Sequence, residues 1–91
     1  MTKLRKLAKG RECQIRIVGI CNCNPETTVL AHFRLVGLSG IGIKPPDMFG
    51  AWACSTCHTY VDTHHDSDTK LWFAQGVFRT QNQLIKEGHL P

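Results

Sequence analysis

No stretch of this 91-residue chain approaches the roughly 20 consecutive apolar residues that a membrane span requires. Nor does an apolar run of signal-peptide length open it, so neither a membrane role nor export is expected. Cysteine is present in an odd number, five, which argues against a secreted disulfide framework. A cytoplasmic location is expected. Repeats and low-complexity tracts are absent, which leaves one small domain as the organisation to explain. Three glycines in six positions, Gly37, Gly40 and Gly42, lack the Lys-Ser/Thr ending of a phosphate loop and the spacing of a dinucleotide site. With Lys44-Pro45-Pro46-Asp47 after them they read as a loop over one edge of a cleft, with Asp47 as a turn or capping carboxylate.

What the chain does have is a metal-binding pattern. Cys54 and Cys57, followed at once by His58, have the three-residue offset that lets two thiolates converge on one Zn²⁺. Cys13, with either Cys21 or Cys23, supplies the second pair needed for a tetrahedral site, and Cys21 is favoured. Ile15 and Ile17 alternate with Gln14 and Arg16 as in a half-buried strand, so a short hairpin turning at Val18-Gly19 is expected to bring Cys13 and Cys21 together. A domain this small has a marginal core, and a structural zinc would add roughly 10–16 kcal/mol of apparent binding energy.

Charge is unevenly placed. Lys3, Arg5, Lys6, Lys9, Arg11 and Arg16 against Glu12 put +5 in the first sixteen residues, leaving −1 for the remainder of a chain whose formal charge is +4. A basic arm over residues 1–12 suits sequence-independent binding to a phosphate backbone; the alternative is a solvated terminus.

Thr27–Arg34 is β-branched and aromatic, follows turn-forming Asn22, Asn24 and Pro25, and reads as a strand. With a period of two, Val29, Ala31 and Phe33 share one face while Leu30, His32 and Arg34 share the other. His32 is thus either a satisfied, half-buried histidine or a functional one beside Arg34. A helix is expected from about Ser55 to Val61, on which His58, about 100° round from Cys57, is able to face the strand carrying His32. A spare zinc ligand or a surface residue is the alternative for His58. His64 and His65 fall in a polar turn with Asp62 and Asp66 around them; weak metal binding is the alternative to reading them as mostly solvated. A last helix spans 67–88, from Ser67 as a possible cap to Gly88. Leu71, Ala74, Phe78 and Ile85, with Val77 and Leu84 adjoining and Trp72 and Phe73 broadening the stripe, are expected to pack it on the domain.

The order of these elements resembles the HNH, or His-Me finger, endonucleases, whose ββα unit is often steadied by a four-cysteine zinc. More closely, the chain resembles the YbcO-like nuclease family of phages and prophages, a role inferred there from fold. The stretches that carry the likeness are Gly10-Arg11-Glu12-Cys13-Gln14, Asn24-Pro25-Glu26-Thr27, Leu30-Ala31-His32, Lys44-Pro45-Pro46-Asp47 and Ala53-Cys54-Ser55-Thr56-Cys57-His58. The resemblance implies an α+β, zinc-stabilised ββα-metal domain over 1–91, with its core at 13–63 and a C-terminal helix at 67–88. It implies metal-dependent hydrolysis of DNA phosphodiesters in the bacterial cytoplasm, His32 as general base, and His58 as ligand to a catalytic Mg²⁺ or Mn²⁺ separate from the structural Zn²⁺ on Cys13, Cys21, Cys54 and Cys57. Arg34 and Lys44, with the arm residues Lys3, Arg5, Lys6 and Lys9, would meet phosphate. Two family positions differ: Ala31 stands where many members carry an acidic or histidine metal ligand, and the central asparagine is missing, with Asp47 the nearest candidate for either lost role. A non-catalytic zinc module binding nucleic acid, or a phage or host recombination protein, is the alternative.

Overall fold

β-Branched and small residues set the centre of the molecule. Val29–His32 (β1) and Gly50–Ala53 (β2) form a two-stranded antiparallel sheet with Val29 opposite Ala53, Leu30 opposite Trp52, Ala31 opposite Ala51 and His32 opposite Gly50. The computed structural model describes residues 3–34 and 46–90. Within them the chain runs through helix α1 (Lys3–Ala8), a 3₁₀ turn at Pro25–Thr27, β1, a second 3₁₀ turn at Asp47–Phe49, β2, α2 (Ser55–Thr63) and α3 (Ser67–Lys86). The architecture is α+β.

All four residues of β2 are buried, as a strand covered on both faces must be. One face meets a cluster of Cys13, Ile15, Ile17, Ala31, Cys54, Cys57, Val61, Phe73 and Val77, against which Phe33 packs edge-on to Phe73 with ring centroids 5.0 Å apart. Trp52, on the other face, sits with Ala8 and Leu84, joined by Leu4, Leu7, Leu30 and Leu90. Full burial of such side chains is worth roughly 1.5–3 kcal/mol each. The basic N-terminal stretch therefore carries a helix anchored by leucines. Arg11 ties its end down, forking onto Glu87 at 2.5 and 2.7 Å while its guanidinium lies 4.6 Å from the Trp52 ring centroid.

The expected strand through Ile15 and Ile17 does not form. Gln14 donates its amide to the Trp52 carbonyl at 2.7 Å, a single bond along the outer edge of β2, and then Arg16 takes a left-handed φ of 57° that breaks the ladder. The alternation survives as burial alone: Ile15 and Ile17 are inside and Arg16 is outside. The turn does fall at Gly19, with φ +81°, and the Cys21 amide closes it on the Ile17 carbonyl at 2.9 Å.

Helix α3 corrects a further expectation. Its buried side is Thr69, Phe73, Gly76, Val77, Thr80 and Leu84, whereas Leu71, Phe78 and Ile85 face outward. Close approach decides which face is used. A Cβ on Gly76 would lie 2.8 Å from Ile15 Cγ1 and 3.2 Å from the Ile15 backbone, so only glycine fits without a shift. Thr80, wholly buried, accepts from the Trp52 amide at 3.0 Å and donates to the Gly76 carbonyl at 2.8 Å. A stripe of large side chains could not have come this near to β2. The helix is capped by Asp66, rather than Ser67, through the Thr69 amide and hydroxyl.

Candidate metal centre and basic cleft

The Sγ atoms of Cys13, Cys21, Cys54 and Cys57 all lie within 4.8 Å of one another. Tetrahedral zinc with bonds of about 2.3 Å separates its sulfurs by about 3.8 Å, and Cys21 and Cys54 stand 3.8 Å apart. The four sulfurs thus fit a closed Cys₄ site. Three of the four residues are buried, and Cys21 is half-buried. Cys54 caps α2, its sulfur accepting from the Cys57 amide at 3.5 Å, which is why an x-x spacer aims both thiols to one side. Burial pushes the Cys21 thiol up to about 12 and that of Cys57 upward as well, with Cys13 nearby adding to both. Burial also acts upward on Cys54, but hydrogen bonds from Thr56 and from the Cys57 and Asn22 backbones outweigh it and bring that thiol down to about 6. A divalent cation is the natural compensation for four sulfurs so crowded. Cys23, the competing candidate, is exposed with a left-handed φ of 56°.

The second arrangement lies at the opposite end of β1. His32, the last residue of that strand, places Nε2 2.6 Å from Asp47 Oδ1. Asp47 opens the 3₁₀ turn that leads into β2, and the Phe33 amide donates to Phe49 O at 3.1 Å, so backbone pairing fixes the carboxylate against the imidazole. Arg5, from α1, brings Nε to 3.4 Å from the same oxygen. With a proton on Nε2 donated to Asp47, the lone pair of His32 resides on Nδ1.

A cavity of about 630 Å³ opens beside His32, lined by Arg5, Lys9, Glu26, Thr28, Val29, Leu30, His32 and Arg34. Three of its walls are cationic. A smaller recess of about 130 Å³ adjoins His32 and Arg34 and reaches Asp62, His65 and Lys70. His58 is half-exposed on α2, with Nε2 3.3 Å from Asp62 Oδ2 one turn on.

Three comparisons bear on what this arrangement belongs to. The family model described as "Putative nuclease YbcO" matches residues 2–89. This chain belongs to the YbcO family. The "Putative nuclease YbcO" proteins of Escherichia coli (strain K12) and Enterobacteria phage 82 are each 53% identical to it, over 97% of this chain and 96% of theirs. A solved structure described as "Structure of a putative bacteriophage protein from Escherichia coli str. K-12 substr. MG1655" superposes with a TM-score of 0.76 at 46% identity, covering 92% of this chain and 98% of that one.

Set against the YbcO resemblance, the four expected zinc ligands come together, and so do His32, Asp47, Arg5, Lys9 and Arg34. Lys6 is exposed on α1 and Lys3 begins it, while Lys44 lies outside the described residues. Two pairings were not read from the sequence. Asp62 lies 3.3 Å from His58, at the helical i, i+4 offset. Arg5 meets Asp47, 42 residues away, which no spacing could reveal. His64 is occupied locally, stacked on Tyr60 at 3.8 Å with Nδ1 3.0 Å from the Tyr60 carbonyl. No helix among the described residues is long and apolar enough to cross a membrane.

Proposed function

We propose that this chain is a metal-dependent DNA endonuclease of the HNH type, with β1, β2 and α2 as its ββα-metal unit and zinc on the four cysteines as its structural ion. The observation that carries the reading is the His32–Asp47 pair, 2.6 Å apart at the edge of a cleft walled by Arg5, Lys9 and Arg34. The family name "Putative nuclease YbcO" supports the same reaction class.

In this reading Arg5, Lys9 and Arg34 bind the phosphate backbone, and binding weakens as salt rises. Asp47 takes the Nε2 proton of His32 in a hydrogen bond, holding the ring in the tautomer whose Nδ1 accepts a proton from the attacking water. Arg5 keeps Asp47 in place. His58 and Asp62, one helical turn apart, would hold Mg²⁺ or Mn²⁺, which when bound polarises the scissile phosphate and stabilises the departing oxygen. The closed zinc site has no open position and serves the fold alone.

Nicking of supercoiled plasmid by zinc-loaded protein with Mg²⁺ or Mn²⁺ tests this. His32→Ala should lower the rate by about 10²–10⁴-fold with zinc content and helicity unchanged. Equal nicking by native protein and the variant would refute the assignment of the base.

One observation favours a second reading. Ala31, where many HNH enzymes carry a further metal ligand, is 1% exposed and offers no donor. A zinc-stabilised module that binds DNA or a recombination protein without cleaving it would show no nicking by native protein. It would still show salt-sensitive binding that weakens when Lys3, Arg5, Lys6 and Lys9 are neutralised.

A further inference from the structure

Helix α3 carries an apolar row that the other described residues leave exposed. Leu71, Phe78 and Ile85 are 55%, 67% and 49% exposed. They are spaced seven residues apart, so they form one stripe drifting by only about 20° per step on the helix surface. Between them stand Gln75 and Asn82, both exposed and uncharged. Met48, itself 42% exposed, borders the helix, its carbonyl accepting from Gln81 Nε2 at 2.5 Å. Single exposed apolar side chains need no explanation, but three of them aligned along one side of a 20-residue helix do.

We infer that this face pairs with the same face of a second copy of the chain, the two α3 helices running antiparallel about a two-fold axis through Phe78. The row is symmetric about that residue: Leu71 precedes it by seven and Ile85 follows it by seven. The axis therefore sets Phe78 against Phe78 and each Leu71 against the other copy's Ile85. At the helix ends charge follows the same symmetry. Asp68 lies ten residues before Phe78 and Lys86 eight after; at 100° per residue both sit on one flank, about 80° from the stripe. Arg79, on the same flank near the axis, is held on the Gln14 carbonyl at 2.6 Å. An antiparallel two-fold pair brings like flanks together, and with a rise of about 1.5 Å per residue Asp68 of one copy falls within about 3 Å, along the axis, of Lys86 of the other. Two opposite-charge pairs thus close the two ends. Parallel pairing would instead set this flank against the opposite one and leave Asp68 and Lys86 apart.

The size suits a weak, specific dimer. The three side chains from each copy would remove roughly 700 Å² of apolar surface, and Gln75 and Asn82 bring the contact to about 1,000–1,200 Å², the lower end of biological interfaces. The pairing concerns the outward face of α3 and stands whether or not the cleft cleaves DNA.

Sedimentation equilibrium of the zinc-loaded full chain at low salt, from about 10 to about 500 µM, tests the inference, because an interface this small associates in the micromolar range. Native protein should move from monomer toward dimer across that range. Phe78→Lys, and independently Ile85→Lys, should stay monomeric with native helicity and zinc content, both positions being exposed. Asp68→Lys and Lys86→Asp should each dimerise at least about fivefold more weakly than native, since each homodimer holds two like-charge pairs. An equimolar mixture of those two variants restores both opposite-charge pairs and should recover native association. A native chain that stays monomeric throughout, lysine variants that associate as native does, or a mixture no stronger than its components would each overturn it.

Discussion

The join between α3 and β2 rests on one hydroxyl, and Thr80→Val removes it while keeping the side chain's shape. Thr80 is wholly buried; its oxygen accepts from the Trp52 amide at 3.0 Å and donates to the Gly76 carbonyl at 2.8 Å. In the variant the Gly76 carbonyl keeps its intrahelical partner, but the buried Trp52 amide loses its acceptor, at a cost of roughly 1–3 kcal/mol. Thr80→Ser retains the oxygen and loses one methyl, about 0.8 kcal/mol by transfer. At about 4–8 °C per kcal/mol for a domain of this size, the valine variant should melt roughly 10 °C below native and the serine variant about half as far. Thermal melting followed by circular dichroism, with free zinc buffered at one level because bound metal adds to apparent stability, provides the comparison. If valine melts within about 2 °C of native, or serine proves the worse of the two, the hydroxyl is not what holds this joint, and packing volume is.

Two predictions concern the metal centre. Cys21→Ser should lower zinc affinity by at least about a hundredfold, whereas Cys23→Ser should keep one zinc per chain; elemental analysis after dialysis against a mild chelator separates them. The pH dependence has a definite sign. Cys21, pushed up to about 12, and Cys57, also raised, are protonated at neutral pH in the metal-free chain, while Cys54 at about 6 is already mostly thiolate. Zinc must therefore displace at least two protons, so its apparent affinity should rise by roughly a hundredfold or more from pH 6 to pH 7. Calorimetry in buffers of different ionisation enthalpy counts the protons, and release of clearly fewer than two would contradict the thiol environments described.

The four clustered cysteines show how far local spacing reaches. Cys54-x-x-Cys57 was legible because a helix start turns that offset into convergence, and the cap at Cys54 is that device. The partner pair was not settled by spacing. Cys21 and Cys23 lie two residues apart in the chain, and the tight turn at Gly19 and the left-handed φ at Cys23 send one sulfur inward and leave the other outside. Likewise His32 was legible as a candidate from the alternation of its strand. Its carboxylate partner became definite only when the Phe33–Phe49 backbone bond closed the intervening 15 residues.

Helix α3 marks the boundary most sharply. By itself the sequence determined that an amphipathic helix would begin near Ser67 and stop at about Gly88, and it runs over Ser67–Lys86, because a 3.6-residue period and a terminal glycine are local properties of the chain. Which face would be buried was decided by tertiary structure. Leu71, Phe78 and Ile85 satisfy the period as well as Phe73, Val77 and Leu84 do, but β2 and Ile15 admit a helix only along a side with a glycine at 76 and a threonine at 80. Periodicity measures how apolar a face is, whereas burial depends on how closely its backbone can approach a neighbour, and that distance is set by residues far away in the chain.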